Sequence, residues 1–81
     1  MARYFLHLRD GSDSMIDEEG QEFADPDALR LSVLEAARDV ISGDAKRGLL
    51  DLRFRIEAED ENGAVVYTLP FKHAVSIVWE E

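Results

Sequence analysis

From Leu50 to Glu59 apolar and charged residues alternate without an exception: Leu50-Asp51-Leu52-Arg53-Phe54-Arg55-Ile56-Glu57-Ala58-Glu59. Only a strand with one face on a core has that period of two. Asn62-Gly63 then has the composition of a two-residue type I′ turn, so Ala64 to Phe71 is expected to return as a hairpin partner. Such a turn pairs Glu61 with Ala64, and hence Ala58 with Tyr67, Ile56 with Leu69 and Phe54 with Phe71, all apolar and on one face. Glu57 with Thr68 and Glu59 with Val66 fall on the other face, so pattern and turn chemistry agree. Pro70 faces outward and has no N–H, which ends the strand there or makes it an edge.

A period near 3.6 replaces the alternation upstream. Leu29, Val33, Ala36, Ala37, Val40 and Ile41 form one stripe of a helix, which Leu31 and Leu34 broaden. Arg30, Glu35, Arg38 and Asp39 make its solvated side. Asp25 can cap the first N–H groups, Pro26 suits the first helical position, and Asp27 complements the positive end of the dipole. Gly43 is the expected stop.

The start of the chain, residues 3 to 9, has strand composition and ends at the turn Asp10-Gly11. Met15-Ile16 offers a short second strand, and Asp17-Glu18-Glu19-Gly20 turns the chain again before Gln21-Glu22-Phe23. The tail from His73 to Trp79 fits neither period, and a tight turn followed by a short strand is expected. These elements predict a single α+β domain over residues 1–81, in the order β-β-α-β-β, with about four mostly antiparallel strands and the helix across one face. Its expected core is Tyr4, Leu6, Leu8, Leu29, Val33, Ala37, Val40, Leu52, Phe54, Ile56, Tyr67 and Leu69.

Composition narrows the partners. Nine Lys and Arg against eighteen Asp and Glu leave a formal charge of −9 on 81 residues. That sign opposes nucleic acid and anionic membranes, both of which need clustered cations. The absence of cysteine removes disulfides, thiolate catalysis and Cys-ligated zinc. The apolar stretch before Arg9 is too short for a signal-peptide core, so a cytoplasmic location is expected. No cofactor is expected.

Candidate chemistry is sparse. Ser14, Ser32, Ser42 and Ser76 lack a G-x-S-x-G turn, and no enzyme is expected. His7 shares a face with Phe5 and Arg9, away from the helix, which makes it a solvated or salt-bridged residue. The same placement makes His7 and Arg9 candidates for a ligand site on an open sheet face; His73 lies in a connection. Asp10, Asp13 and Asp17, with Glu18 and Glu19, are candidates for weak calcium binding if they meet in one turn. Like the acids Glu57, Glu59, Asp60 and Glu61 near the hairpin tip, they lack EF-hand spacing. Ile77, Val78 and Trp79 either close the core, as a small domain favours, or form a partner-binding edge through which the chain would self-associate.

Arg3-Tyr4-Phe5, His7, Arg9-Asp10-Gly11, Asp17-Glu18-Glu19-Gly20, Ala36-Ala37-Arg38, Asn62-Gly63 and Pro70-Phe71 together carry a resemblance. The chain resembles a family of small acidic bacterial proteins that opens with R-Y-F-x-H-x-R-D-G and is known as a domain of unknown function. The resemblance implies a bacterial cytoplasmic protein and transfers no activity. In element order and acidic charge the chain is also similar to HicB-type antitoxin domains, although nothing in it supplies their DNA-binding segment. Three functions are therefore expected in order: a non-enzymatic protein-interaction module, an acidic antitoxin-like protein masking a basic partner, and a small ligand-binding or enzymatic domain at His7 and Arg9.

Overall fold

The computed structural model describes residues 1–80. Its elements are β1 (Ala2–Arg9), β2 (Ser14–Met15), β3 (Gln21–Phe23), α1 (Pro26–Lys46), β4 (Arg55–Glu59), β5 (Val65–Pro70) and one 3-10 turn at Phe71–His73. The sheet runs β2-β1-β4-β5, with β3 also on β1. All pairings are antiparallel, so the α+β expectation stands.

Helix α1 starts as its sequence dictates, with Asp25 Oδ1 accepting from Ala28 N–H at 2.8 Å and Pro26 in the first turn. It does not stop at Gly43. An interior glycine costs a helix only about 1 kcal/mol, and the helix runs on to Lys46, with Gly48 just beyond the cap residue Arg47 at a left-handed φ of +86°. There Gly48 N–H reaches Ala45 O and Leu49 N–H reaches Asp44 O, the paired bonds of a Schellman ending.

The stripe buries Leu29, Val33, Ala37 and Ile41 against Ile56, Ala58, Leu69 and Phe71, with Phe23 and Ala74 completing the core. Every residue of the expected core lies in this cluster or packs against it. Leu31, expected to broaden the stripe, is exposed. Phe71 is wholly buried although it follows Pro70, because the 3-10 turn swings it inward against Phe54, with ring centroids 6.0 Å apart.

The hairpin keeps the expected register from Arg55↔Pro70 to Ala58↔Tyr67. Its tip differs. Asp60 N–H bonds Ala64 O, Gly63 N–H bonds Asp60 O, and Asp60 Oδ1 accepts from Asn62 and Ala64 N–H. This makes a three-residue loop with Gly63 at φ +82°, and a bulge beside Glu59 restores the register. The Asp60 carboxylate, by gathering the loop's N–H groups, displaces the two-residue turn.

The alternating segment is a strand only from Arg55. Arg9, the last residue of β1, pairs with Arg55, and so does Pro70, the last of β5. Leu50 to Arg53 therefore have no neighbour on either side, and Asp51 turns the chain by binding the backbone and guanidinium of Arg53. The tail forms the expected turn, but no strand follows within the described residues. Ile77, Val78 and Trp79 close no core: they are 51%, 91% and 73% exposed.

Candidate functional site

Alternation along β1 puts Phe5, His7 and Arg9 on the sheet face that α1 leaves uncovered, as expected. Antiparallel pairing sets them against Glu59, Glu57 and Arg55 of β4. Arg9 directly opposite Arg55 would repel, and Glu57 resolves the conflict. Its Oε1 lies 2.7 Å from Arg9 Nε and its Oε2 lies 3.0 Å from Arg55 Nε. The Arg9 Nε contact is off the N–H direction, so it is an ion pair without an aligned hydrogen bond. Glu59 Oε2 continues the row, 3.5 Å from the Arg9 guanidinium and 3.4 Å from His7 Nε2.

His7 is not solvated; it is only 5% exposed. Its Nδ1 accepts a hydrogen bond from Asp17 N–H at 3.0 Å. That bond needs the Nδ1 lone pair, which assigns the proton of a neutral ring to Nε2, toward Glu59. Both nitrogens are thus engaged, and the imidazole presents no free lone pair to a ligand.

Asp17 holds the cover over this face. On the side of β1 shared by β2 and β3, neither short strand reaches Leu6, and its N–H donates to Asp17 Oδ2 at 3.1 Å. Asp17 Oδ1 accepts from Glu19 and Gly20 N–H, so one carboxylate replaces a missing piece of sheet. Gly20 closes the turn at φ +73°, where a Cβ would stand 2.8 Å from the Phe5 ring. Both its backbone angle and its neighbour require glycine.

The calcium candidates do not meet. Asp10 Oδ1 is committed to Ser12 and Asp13 N–H in the turn after β1, Asp13 is exposed, and Asp17 reaches back to the middle of β1. Among the described residues, no three His, Asp or Glu side chains converge to hold a metal ion. A groove with a volume of about 510 Å³ opens instead between the C-terminal half of α1 and the end of β1. Leu8, Met15, Val40 and Phe54 provide its apolar lining, and Asp13, Asp44 and Arg47 its charged rim. Nothing in the sequence periodicity marked this groove, because it exists only where helix and sheet diverge.

Several carboxyls here titrate low. Burial opposes ionisation of Asp17, but N–H donors from Gly20, Leu6 and Glu19 outweigh it and hold the carboxyl below the ordinary 3.8. Arg55 chiefly, with Arg9, lowers Glu57 from 4.5; Arg53 lowers half-buried Asp51 to about 2. A carboxyl with a depressed folded pKa binds fewer protons folded than unfolded. Its stabilisation is complete above the unfolded value and disappears as pH falls through the folded one. The midpoint of urea unfolding should therefore hold between pH 7 and about pH 5, then fall below about pH 4. A midpoint unchanged from pH 5 to pH 3 would contradict the assignment of these carboxylates.

Fold and ion row define a small α+β domain with one helix-covered face and one face that carries a row of ion pairs across β1 and β4. The chain belongs to the family described as a domain of unknown function, DUF6894, whose model matches residues 3–72. No curated protein and no solved structure matches it.

Proposed function

We propose that the chain is a non-enzymatic protein-interaction module that engages another protein through its exposed C-terminal segment. The observation carrying this reading is the exposure of Ile77, Val78 and Trp79, off the sheet, in a chain with a single tryptophan. Aromatic anchors are over-represented where partners bind, and a bare tryptophan gains the apolar area that a partner covers. The reading keeps the bacterial, cytoplasmic setting implied by the family resemblance. No helix is long and apolar enough to cross a membrane among the described residues.

The test compares the tagged chain with Val78→Lys and Trp79→Ala after crosslinking in cells that express it. A protein recovered with the parent chain should fall about tenfold with each variant, as for loss of one binding hot spot. Urea midpoints should not move, because the segment supports no core. Identical recovery with all three chains would sink the reading. So would a stability loss above about 1 kcal/mol, since surface substitutions stay within about 0.5.

The ion pairs favour a second reading, an acidic protein that masks a basic partner. Each arginine except Arg38 is tied to a carboxylate, and Arg38 donates to Ala74 O. The surplus carboxylates stay unneutralised and would steer a basic surface toward the chain. Binding of that kind weakens steeply with salt, whereas an apolar contact does not. The third expectation, a ligand or enzyme site at His7 and Arg9, has no comparable support, since the imidazole is buried and engaged at both nitrogens.

A further inference from the structure

Buried His7 is held by a bond that only its neutral form can make. Its Nδ1 accepts the Asp17 N–H at 3.0 Å, and an imidazolium, with an N–H on each nitrogen, has no lone pair left to accept it. Protonation therefore sets two N–H donors head to head at a buried position. Histidine changes charge between about pH 5 and pH 8. Asp17 and Glu57 are held below their ordinary values, so both stay ionised throughout that range. The charged groups around the ring come from β1, β4 and the turn. On β1, Arg9 reaches Glu57 and Glu59, and Arg3 lies further along the same face, against Glu22 of β3. From β4, Glu59 Oε2 stands 3.4 Å from Nε2, and Glu57, shared with Arg55, lies opposite His7. The turn adds the Asp17 carboxylate, with exposed Glu18 and Glu19 beyond it. β2 and β5 bring no ionisable side chain to this face, and α1 packs on the other.

We propose that His7 is a pH-dependent latch: the neutral ring holds the backbone of the turn at Asp17, and the protonated ring, kept by Glu59, releases it. The carboxylates attract the cation that the Asp17 N–H excludes, so the charged ring stays where it is and the turn gives way. The change is local, because β1 keeps its full pairing with β4 and Met15 its pairing with Leu8. Its consequence falls on Ile16, which lies between paired Met15 and latched Asp17 and is 53% exposed. Ile16 forms, with Leu6, Leu8 and Met15, the apolar wall of a hollow of about 220 Å³, which meets the larger groove at Leu8 and Met15. Release of the turn reshapes that wall, so proton binding on one face of the sheet alters an apolar surface on the other. The latch depends on the Asp17 contact and not on the C-terminal segment, so either reading can fail alone.

Nitrogen NMR of the isotope-labelled full chain, from about pH 8 to about pH 5, covers the range in which histidine titrates. At the alkaline end the ring should be the Nε2–H tautomer, with a scalar coupling across the hydrogen bond from the Asp17 amide to Nδ1. As the ring protonates, that coupling should vanish, and the Asp17 amide and Ile16 methyl signals should shift with the ring's own midpoint. His7→Gln supplies a carbonyl acceptor that does not titrate, so both shifts should disappear. His73→Gln, at the exposed histidine of the 3-10 turn, should leave them in place. An Nδ1–H tautomer at about pH 8 overturns the proposal, as does a ring still neutral at about pH 5. So does a ring that titrates while the Asp17 amide and Ile16 methyl stay fixed, or a pair of shifts that persists in His7→Gln. Should His7→Gln fail to fold, Glu59→Gln decides. With one attracting carboxylate removed, release should move to lower pH, and an unchanged midpoint overturns the latch.

Discussion

Replacing Phe71 with alanine is expected to lower the free energy of unfolding by about 3–5 kcal/mol, the range for truncating a fully buried phenylalanine. Phe71 is wholly enclosed and joins three parts of the fold. It packs on Phe54, donates its N–H to Phe54 O, and begins the turn that returns the chain to α1, where Arg38 holds Ala74 O at 2.9 Å. The variant keeps the backbone bond and loses the ring, so the cost is that of a cavity between helix and hairpin. A domain this small has about 5–15 kcal/mol in total, so the substitution consumes a large share. Urea denaturation measures it, and a loss below about 1 kcal/mol would show that the site collapses around the smaller side chain. Phe54→Ala should cost less, because Phe54 is only half-buried, at the wall of the groove.

Asp17→Ala should cost about 2–4 kcal/mol, from the loss of charge-assisted bonds and the stranding of a partly buried donor. The N–H groups of Leu6, Glu19 and Gly20 all lose their acceptor. Alanine leaves the Asp17 N–H to His7 Nδ1 bond chemically possible, but nothing then anchors the turn that delivers it. Two local readouts should follow: faster exchange at the Leu6 amide, and loss of the fixed His7 tautomer in imidazole nitrogen shifts. Asp17→Asn keeps one acceptor oxygen and should fall between alanine and the parent. A cost under about 0.5 kcal/mol, the ordinary scatter of surface substitutions, with Leu6 protection unchanged, would mean that water replaces the carboxylate without penalty.

The two halves of the alternating segment show how far periodicity reaches. Arg55 to Glu59 and Leu50 to Phe54 have the same pattern, yet only the first is a strand, because β1 ends at Arg9 and β5 at Pro70. A strand needs neighbours, and their lengths lie elsewhere in the chain. Gly43 and Gly48 differ likewise: each can end a helix, and the choice fell where the following residues close the Schellman bonds. The tail was legible only as apolar, because chain statistics do not tell a core-closing segment from one left exposed.

His7 and Arg9 were placed on the correct face by alternation alone, but their burial and partners were not legible. Those depend on Asp17, ten residues along from His7, which on sequence is one acid among several in a polar turn. What the amino-acid sequence determined by itself is local or nearly so: the Asp25 cap and the stripe of α1, the register of the hairpin from Arg55 to Ala58, the sides of the sheet and an acidic surface. Tertiary structure alone decided that Asp17 replaces a missing stretch of sheet, that Glu57 and Glu59 close a row of ions over β1 and β4, and that β5 is left as the free edge. Periodicity records which way each side chain points, whereas these outcomes depend on which backbone groups remain without partners once all the strands are laid down.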